Sequence, residues 1–337
     1  MTGNTIARWI DALLILAALC LPGSGLARPA STPCDQTLVQ KIPARPPTAS
    51  SAGDFVRRVE GMSEVERETA IGAELLAGNM PRFLRRLTPI TLRGLLPSGR
   101  AVGVTICVLP DYLAIGSDSD YLLIPMGLPT AITIASRYGF ILPTRKMVDA
   151  IYAQSAVHLP PHPLPPGDDM RSTGYYWHHN ELIREQRLAL EMPTGVLTAG
   201  HKKDLVITNR LRWNPERVAI YGWHRANNEP IQPLSTWHGA RYADYSHGVR
   251  LVSTVAYVQG KAKSIFELLE DRRLAPVLSD EGPMPHLAEL MEALAVHGPD
   301  TANGRLEIGQ TEAPTDLGLT IDMVRQCRCE GISIPGR

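Results

Sequence analysis

Proline and glycine divide this chain into short pieces. The 337 residues include 28 prolines and 28 glycines, so one of the two occurs roughly every six residues. Proline blocks helix interiors and removes a backbone donor, and glycine weakens both helices and strands. A coiled coil or a bundle of long helices is therefore excluded. Because 44% of the residues are hydrophobic, the chain can still close a sizeable core.

Helical and strand patterns follow one another without regular alternation, which predicts an α+β fold: a mixed or antiparallel sheet with flanking helices, in a single main domain with a peripheral tail. Ser63 followed by Glu66 forms a capping-box pattern and predicts a helix that Gly78 ends. Further helices are predicted at 129–138, 144–155, 179–190, 264–274 and 287–296, and strands at 102–109, 112–115, 121–124, 203–208, 217–223 and 249–258. Five prolines within 158–169 predict an irregular connection.

The first 27 residues have the pattern of a secretory signal. Arg8 precedes an apolar run of about ten residues, half the roughly twenty that span a bilayer, and small residues follow up to Ala27. We expect cleavage near Ala27, a periplasmic or secreted protein, and no membrane span afterwards; an uncleaved anchor is the alternative. The expected organisation is signal peptide 1–27, flexible leader 28–53, main domain 54–275 and peripheral extension 276–337.

Four cysteines remain after removal of the signal. Cys327 and Cys329 are too close in sequence to bridge each other comfortably, so Cys34 could pair with either of them. Cys107 lies in an apolar run, and we expect it to be a buried thiol. Disulfide connectivity stays open at this stage.

Charge argues against a nucleic-acid partner. The chain has 34 basic and 34 acidic residues, so its sequence predicts no basic surface for phosphates or anionic lipids. Several hydrolase signatures are absent from the mature sequence, including Gly-x-Ser-x-Gly and His-Glu-x-x-His. A candidate site must therefore come from the distribution of polar residues.

Residues 200–250 concentrate titratable and nucleophilic side chains, four of the ten histidines among them. A general base, oriented by a carboxylate, could activate a serine or a water while a cation stabilises the oxyanion. The predicted catalytic residues are His224, Asp244, Ser246 and His247, and the predicted substrate-binding residues in this region are His201, Lys202, Lys203 and Arg250.

Two other interpretations of this region remain open. His238, Asp244 and His247 could hold a zinc ion whose bound water attacks an amide, and the same side chains could instead form a buried hydrogen-bond network. If residues 242–247 are extended, Asp244 and Ser246 share one face and His247 faces the other way. A turn at Gly248 could swing His247 inward.

Six phrases resemble a family of uncharacterised exported bacterial proteins, over roughly residues 75–255. They are PDYLAIGSD at 110–118, LPTRKMVD at 142–149, GHKKD at 200–204, IYGWH at 220–224, PIQPL at 230–234 and DYSHGVRLV at 244–252. The resemblance implies one domain and brings no established reaction. It adds Asp111 to the candidate substrate-binding residues.

Compartment and polar clustering together favour a hydrolase that acts on an extracellular or cell-envelope polymer, either a peptidoglycan peptide or a polysaccharide, without a cofactor. The alternatives are a non-catalytic protein that binds an envelope glycan or an anionic solute, and a zinc-dependent amidase. The expected partner is the polymer or a small-molecule substrate, and no nucleic acid.

Overall fold

The structure is a computed structural model that describes residues 33–296. The predicted signal peptide, the end of the predicted extension, Cys327 and Cys329 lie outside these residues. Within them, no helix is both long enough and apolar enough to cross a bilayer.

Eight α-helices and thirteen strands make up the described part of the chain. The helices are α1 Ala52–Val59, α2 Glu64–Leu76, α3 Leu128–Tyr138, α4 Arg145–Gln154, α5 Thr173–Ala189, α6 Ile265–Glu270, α7 Ala275–Leu278 and α8 Leu287–Val296. The strands are β1 Thr88–Leu95, β2 Ala101–Val108, β3 Ala114–Gly116, β4 Tyr121–Leu123, β5 Phe140–Ile141, β6 Val157–His158, β7 Thr198–Ala199, β8 Lys203–Leu205, β9 Ile220–His224, β10 Pro230–Ser235, β11 His247–Gly248, β12 Val252–Val258 and β13 Lys261–Ser264.

Two sheets organise these elements. The larger has the order β1-β2-β12-β13, with β5 also paired to β12, and all its pairs are antiparallel. The smaller has the order β10-β9-β8-β11, in which only the β8–β11 pair is parallel. Two short pairs complete the strands: β3–β4 is antiparallel and β6–β7 is parallel. The predicted α+β class, with mixed and antiparallel sheets and flanking helices, is confirmed.

The sequence pattern at α2 is reproduced in detail. The Ser63 side chain accepts from the Glu66 amide, and the Glu66 carboxylate accepts from the Ser63 amide, so both halves of the capping box are present. The helix then buries Ile71 and Leu75 on the face directed to the core. Capping and periodicity together account for this element.

The core extends beyond the boundaries predicted for the main domain. Val39 and Ile42, in the predicted leader, are buried, and so are Leu287 and Leu294 of α8, in the predicted extension. The α8 side chains recur at helical spacing and pack against α3. Burial of this apolar stripe stabilises the end of the described chain as part of the same compact unit.

A disulfide joins Cys34 to Cys107, with the Cα atoms 5.5 Å apart. The expectation of a free thiol at Cys107 is therefore wrong, and so is the pairing of Cys34 with Cys327 or Cys329. Cys107 is buried in β2, as its apolar neighbours predict. The predicted leader folds back against this central strand, which sequence spacing alone does not indicate.

Candidate functional site

The site is built around β8, the central strand that carries Lys203. Lys203 pairs with Gly222 of β9 on one side and with His247 of β11 on the other. Directly paired residues share a face of the sheet, whereas the neighbours Lys202 and Asp204 point to the opposite face. Two polar groups therefore lie on opposite sides of this small sheet.

A tight turn, rather than an extended segment, brings Asp244 to His247. The His247 amide donates to the Asp244 carbonyl at 3.0 Å, and the Ser246 amide and hydroxyl donate to Asp244 Oδ1 at 2.8 and 2.5 Å. Asp at the first turn position accepts such local hydrogen bonds readily. The extended alternation is thus wrong, and Asp244 Oδ2 lies 3.8 Å from His247 Nε2.

His247 is fully buried, and neither of its ring nitrogens has a hydrogen-bond partner. Burial lowers the pKa of His247 to about 4, although the charge of Asp244 opposes this shift. Burial would raise the pKa of Asp244, but the nearby charges of His247 and Lys203 and the Ser246 hydrogen bonds outweigh it and hold that pKa at about 2. At neutral pH the pair is a neutral imidazole beside a carboxylate.

His238 and Tyr242 form a half-buried cover over this pair. Their rings stack with centroids 3.9 Å apart, and the Tyr242 ring meets His247 edge-on at 5.6 Å. The Tyr242 hydroxyl donates to Asp244 Oδ2 at 3.2 Å. Solvent therefore reaches the cover and Lys203, while Asp244 and His247 lie beneath.

Trp223 adds a strained residue beside Lys203. Its φ of 60° lies in the left-handed region of backbone conformation, which residues with bulky side chains rarely adopt. The indole Nε1 is buried without a hydrogen-bond partner, and Lys203 Nζ lies 5.0 Å from the ring centroid. Strain and unpaired polar atoms tend to concentrate at functional sites.

Lys202 and His179 occupy the opposite face of the sheet. Both are buried. Lys202 Nζ donates to the Tyr245 carbonyl and lies 3.2 Å from His179 Nδ1. Burial lowers the pKa of Lys202 to about 7. The pKa of His179 is held well below its usual range by burial and by the charge of Lys202.

A second buried network surrounds Asp111. The carboxylate accepts from Arg187 and from His201 Nε2, the latter at 3.1 Å. Arg250 donates instead to the carbonyls of Leu109 and Thr198, at 2.8 and 2.6 Å. These contacts connect α5 to the loop after β2 in the middle of the core.

His224 belongs to a third group at the surface of α4. Its Nε2 lies 3.0 Å from Asp149 Oδ1, which also accepts from the Tyr221 hydroxyl at 2.7 Å. The Asp149 side chain is 45% exposed, whereas His224 is buried against the ring of Tyr152. The hydrogen bonds and ring contacts of this group lead to α4 and to Tyr221, and not to Asp244 or His247.

The structure thus brings together only some of the predicted site residues. One group contains Lys203, Asp244, Ser246 and His247. His224 lies apart from it, in the Asp149 group. The core network contains Asp111, His201 and Arg250. Sequence reasoning missed His179 and Arg187 as interior groups. Both lie on the buried stripe of α5, at spacings of three and four residues with Tyr176 and Ile183, so polar residues at core periodicity were the signal that could have found them.

Among residues 33–296, no three His, Cys, Asp or Glu side chains form a group that could hold a metal ion. The trio His238, Asp244 and His247, which the sequence suggested for zinc, is therefore not such a group. Comparisons with protein-family models, curated proteins and solved structures give no match to this chain. The resemblance of the six sequence phrases to an exported family therefore stays a prediction.

Proposed function

We propose that this protein is an exported hydrolase acting on an extracellular or cell-envelope polymer, a peptidoglycan peptide or a polysaccharide, through Asp244 and His247. One observation carries the proposal: a buried imidazole with two unpaired nitrogens beside an ionised carboxylate. Leaving buried polar atoms unsatisfied costs roughly 1–3 kcal/mol each. A group retained at that cost supports a role with a ligand or a reacting water.

The chemistry fits general-base catalysis with water as the nucleophile. His247 takes a proton as the water oxygen bonds to the electrophilic carbon of the substrate, and the imidazolium returns the proton to the leaving group as its bond breaks. The negative charge of Asp244, 3.8 Å from His247 Nε2, stabilises the charged form of the imidazole. Lys203, on the same face of the sheet, can stabilise the developing negative charge.

Ser246 has a supporting role in this proposal. Its hydroxyl donates to Asp244 Oδ1 at 2.5 Å and so points to the carboxylate. A serine nucleophile would need its hydroxyl hydrogen-bonded to the base instead. We therefore assign Ser246 to holding Asp244 within the turn.

Export is proposed from two independent features. The first 27 residues have the charge, apolar run and small residues of a cleaved signal. The Cys34–Cys107 disulfide adds support, since structural disulfides persist chiefly in oxidising compartments. A periplasmic or secreted location follows, and envelope polymers are the substrates available there.

The test is turnover of labelled peptidoglycan and of labelled envelope polysaccharides by the purified mature chain. We expect His247→Gln and Asp244→Asn each to lower the rate by about 100-fold or more. His158→Gln is the matched control, because His158 is an exposed histidine outside the group. Absence of turnover by the wild type, or full activity of His247→Gln, would refute the proposal.

A non-catalytic binding protein is the second candidate. Trp237, next to His238, has 78% of its surface exposed, and an exposed aromatic ring can stack on a sugar. Retention of a glycan without turnover, lost in Trp237→Ala, would favour this candidate. Activity of a sample shown by elemental analysis to be free of metal would argue against the zinc amidase.

A further inference from the structure

Lys202 is a buried cation held between two elements. Its amine donates to the Tyr245 carbonyl and lies 3.2 Å from His179 Nδ1. Lys202 is 1% exposed and His179 is not exposed at all. A lysine in this setting costs desolvation free energy, which its hydrogen bonds must offset.

The Tyr245 carbonyl belongs to the turn that forms the candidate site. Tyr245 is the second residue of the turn from Asp244 to His247. The chain beyond the turn also packs against Lys202: a Cβ added at Gly248 would lie 2.8 Å from the Lys202 Cβ. The absence of a side chain at Gly248 therefore lets the lysine stem approach the strand and place its amine at the turn.

We propose that Lys202 is a positioning residue that holds the Asp244–His247 turn in the shape that brings the carboxylate to the imidazole, and that the proton on its amine regulates how firmly the turn is held. The structural part of this inference stands on the contacts alone. Its consequence for turnover rests on the proposed function.

The physical basis is the strength of a charge-assisted hydrogen bond. An ammonium binds a carbonyl about twice as strongly as a neutral donor does, so loss of the proton weakens the contact to Tyr245. Because burial holds the pKa of Lys202 at about 7, this loss falls within the physiological range. The titratable or charged groups around Lys202 lie on four segments: Asp204 on β8, His179 on α5, Asp244, Tyr245 and His247 at the turn, and Asp111 and Tyr112 in the loop after β2.

Most of these neighbours keep one protonation state near pH 7. The pKa values of Asp111 and Asp244 are lowered, so both stay ionised. The pKa values of His179 and His247 are lowered too, so both stay neutral. Burial raises the pKa of Tyr112 and of Tyr245 above that of a free phenol, so both hydroxyls stay protonated. Asp204 differs, because burial raises its pKa to about 6 and it loses its proton at the acid end of this range. Lys202 is the group in this set whose charge changes around pH 7.

Two consequences of deprotonation have opposite signs. The pKa of Lys202 is lowered from 10.5 in the folded state, so the unfolded chain binds more protons between about pH 7 and 10.5, and global stability gains with rising pH. Over the same range the turn loses its charge-assisted contact. A local loosening accompanied by global stabilisation distinguishes Lys202 from general alkaline unfolding.

The experiment measures amide hydrogen exchange at Ser246 and His247, corrected for intrinsic rates, between pH 6 and 8.5. In the wild type we expect protection to fall about tenfold as pH rises, as the stronger bond is lost. In Lys202→Met, the protection of these amides should be low at every pH. In Lys202→Arg, the amides should remain protected over the whole range. Lys146→Met is the matched control, because Lys146 Nζ donates to a carbonyl, that of Pro276, at the surface.

Unchanged protection in folded Lys202→Met, or pH-independent protection in the wild type, would overturn the inference. If Lys202→Met does not fold, the pH series of the wild type and Lys202→Arg decides the question. Turnover then tests the second part: kcat should fall as pH rises through about 7 with little change in KM, and Lys202→Arg should remove that limb. Exchange that behaves as expected in a protein without turnover would keep the positioning role and reject the hydrolase.

Discussion

Asp111 and Arg187 form an ion pair in the middle of the core, 76 residues apart in sequence. Their side chains are only 2% and 6% exposed. Burial would raise the pKa of Asp111, but His201, Arg187 and Arg250 outweigh it and hold that pKa well below its usual range. The carboxylate is therefore ionised and links α5 to the loop after β2.

Asp111→Asn should be strongly destabilising, because it leaves the Arg187 charge buried without its counterion. Removal of one partner of a buried pair costs about 3–5 kcal/mol, measurable by urea denaturation. Glu64→Gln is the control, since the Glu64–Arg171 pair is about half exposed and should contribute less than about 1 kcal/mol. Equal effects of the two substitutions would show that Arg187 does not depend on Asp111 as its counterion.

The disulfide between Cys34 and Cys107 closes a loop with a sequence separation of 73. The chain entropy removed from the unfolded state predicts a stabilisation of about 4 kcal/mol. Cys34→Ser combined with Cys107→Ala should lower the free energy of unfolding by this amount under oxidising conditions. The control is Cys327→Ser with Cys329→Ser, which should keep the bond. Peptide mapping that links Cys34 to Cys327 or Cys329 would contradict the prediction.

The low pKa of His247 makes stability depend on pH. Its pKa is about 4 in the folded protein against 6.5 for the free side chain, so the unfolded chain binds more protons between these values and stability falls as pH drops from about 6.5 to 4. The loss attributable to this group is up to about 3 kcal/mol. His247→Gln should make this part of the stability profile less steep, and the slope that remains belongs to His179 and His201, whose pKa values are also lowered.

Short-range sequence patterns predicted the elements that are stabilised by contacts between residues close in sequence. The capping box at Ser63 and Glu66 defines the start of α2 whatever packs against it. Of the four strands with six or more residues, β1 and β10 were missed, as were shorter strands such as β13. Both long strands contain prolines, at Pro89 and at Pro230 and Pro233. Proline is tolerated there because both strands are at the edge of a sheet, and edge position is a property of the tertiary fold.

The candidate site was predictable only in composition. Asp244, Ser246 and His247 stand out because they are adjacent polar residues, but an extended chain would place them on different faces. The turn that joins them depends on hydrogen bonds from Ser246 to the Asp244 carboxylate, and Lys202 holds it from the far side of the sheet. Such contacts between segments 40 or so residues apart have no short-range sequence signal.

The stack of Tyr242 on His238 should control access to His247. Removing the ring in Tyr242→Ala opens the cover, so we expect diethyl pyrocarbonate to modify His247 faster than in the wild type, approaching the rate of exposed His286, whose side chain is 71% exposed. The imidazole is neutral at pH 7 because its pKa is about 4, so the rate reports accessibility rather than protonation.

Tyr242→Phe separates cover from hydrogen bonding, because it keeps the ring and removes only the hydroxyl that donates to Asp244 at 3.2 Å. Modification of His247 in this variant should stay slow, as read by mass spectrometry of the peptide that contains it. A wild-type rate at His247 already equal to that at His286, or no increase in Tyr242→Ala, would mean that the pair is reached by another route. In that case the half-buried Lys203, which pairs with His247 across β8 and β11, would be the place to look for the entrance.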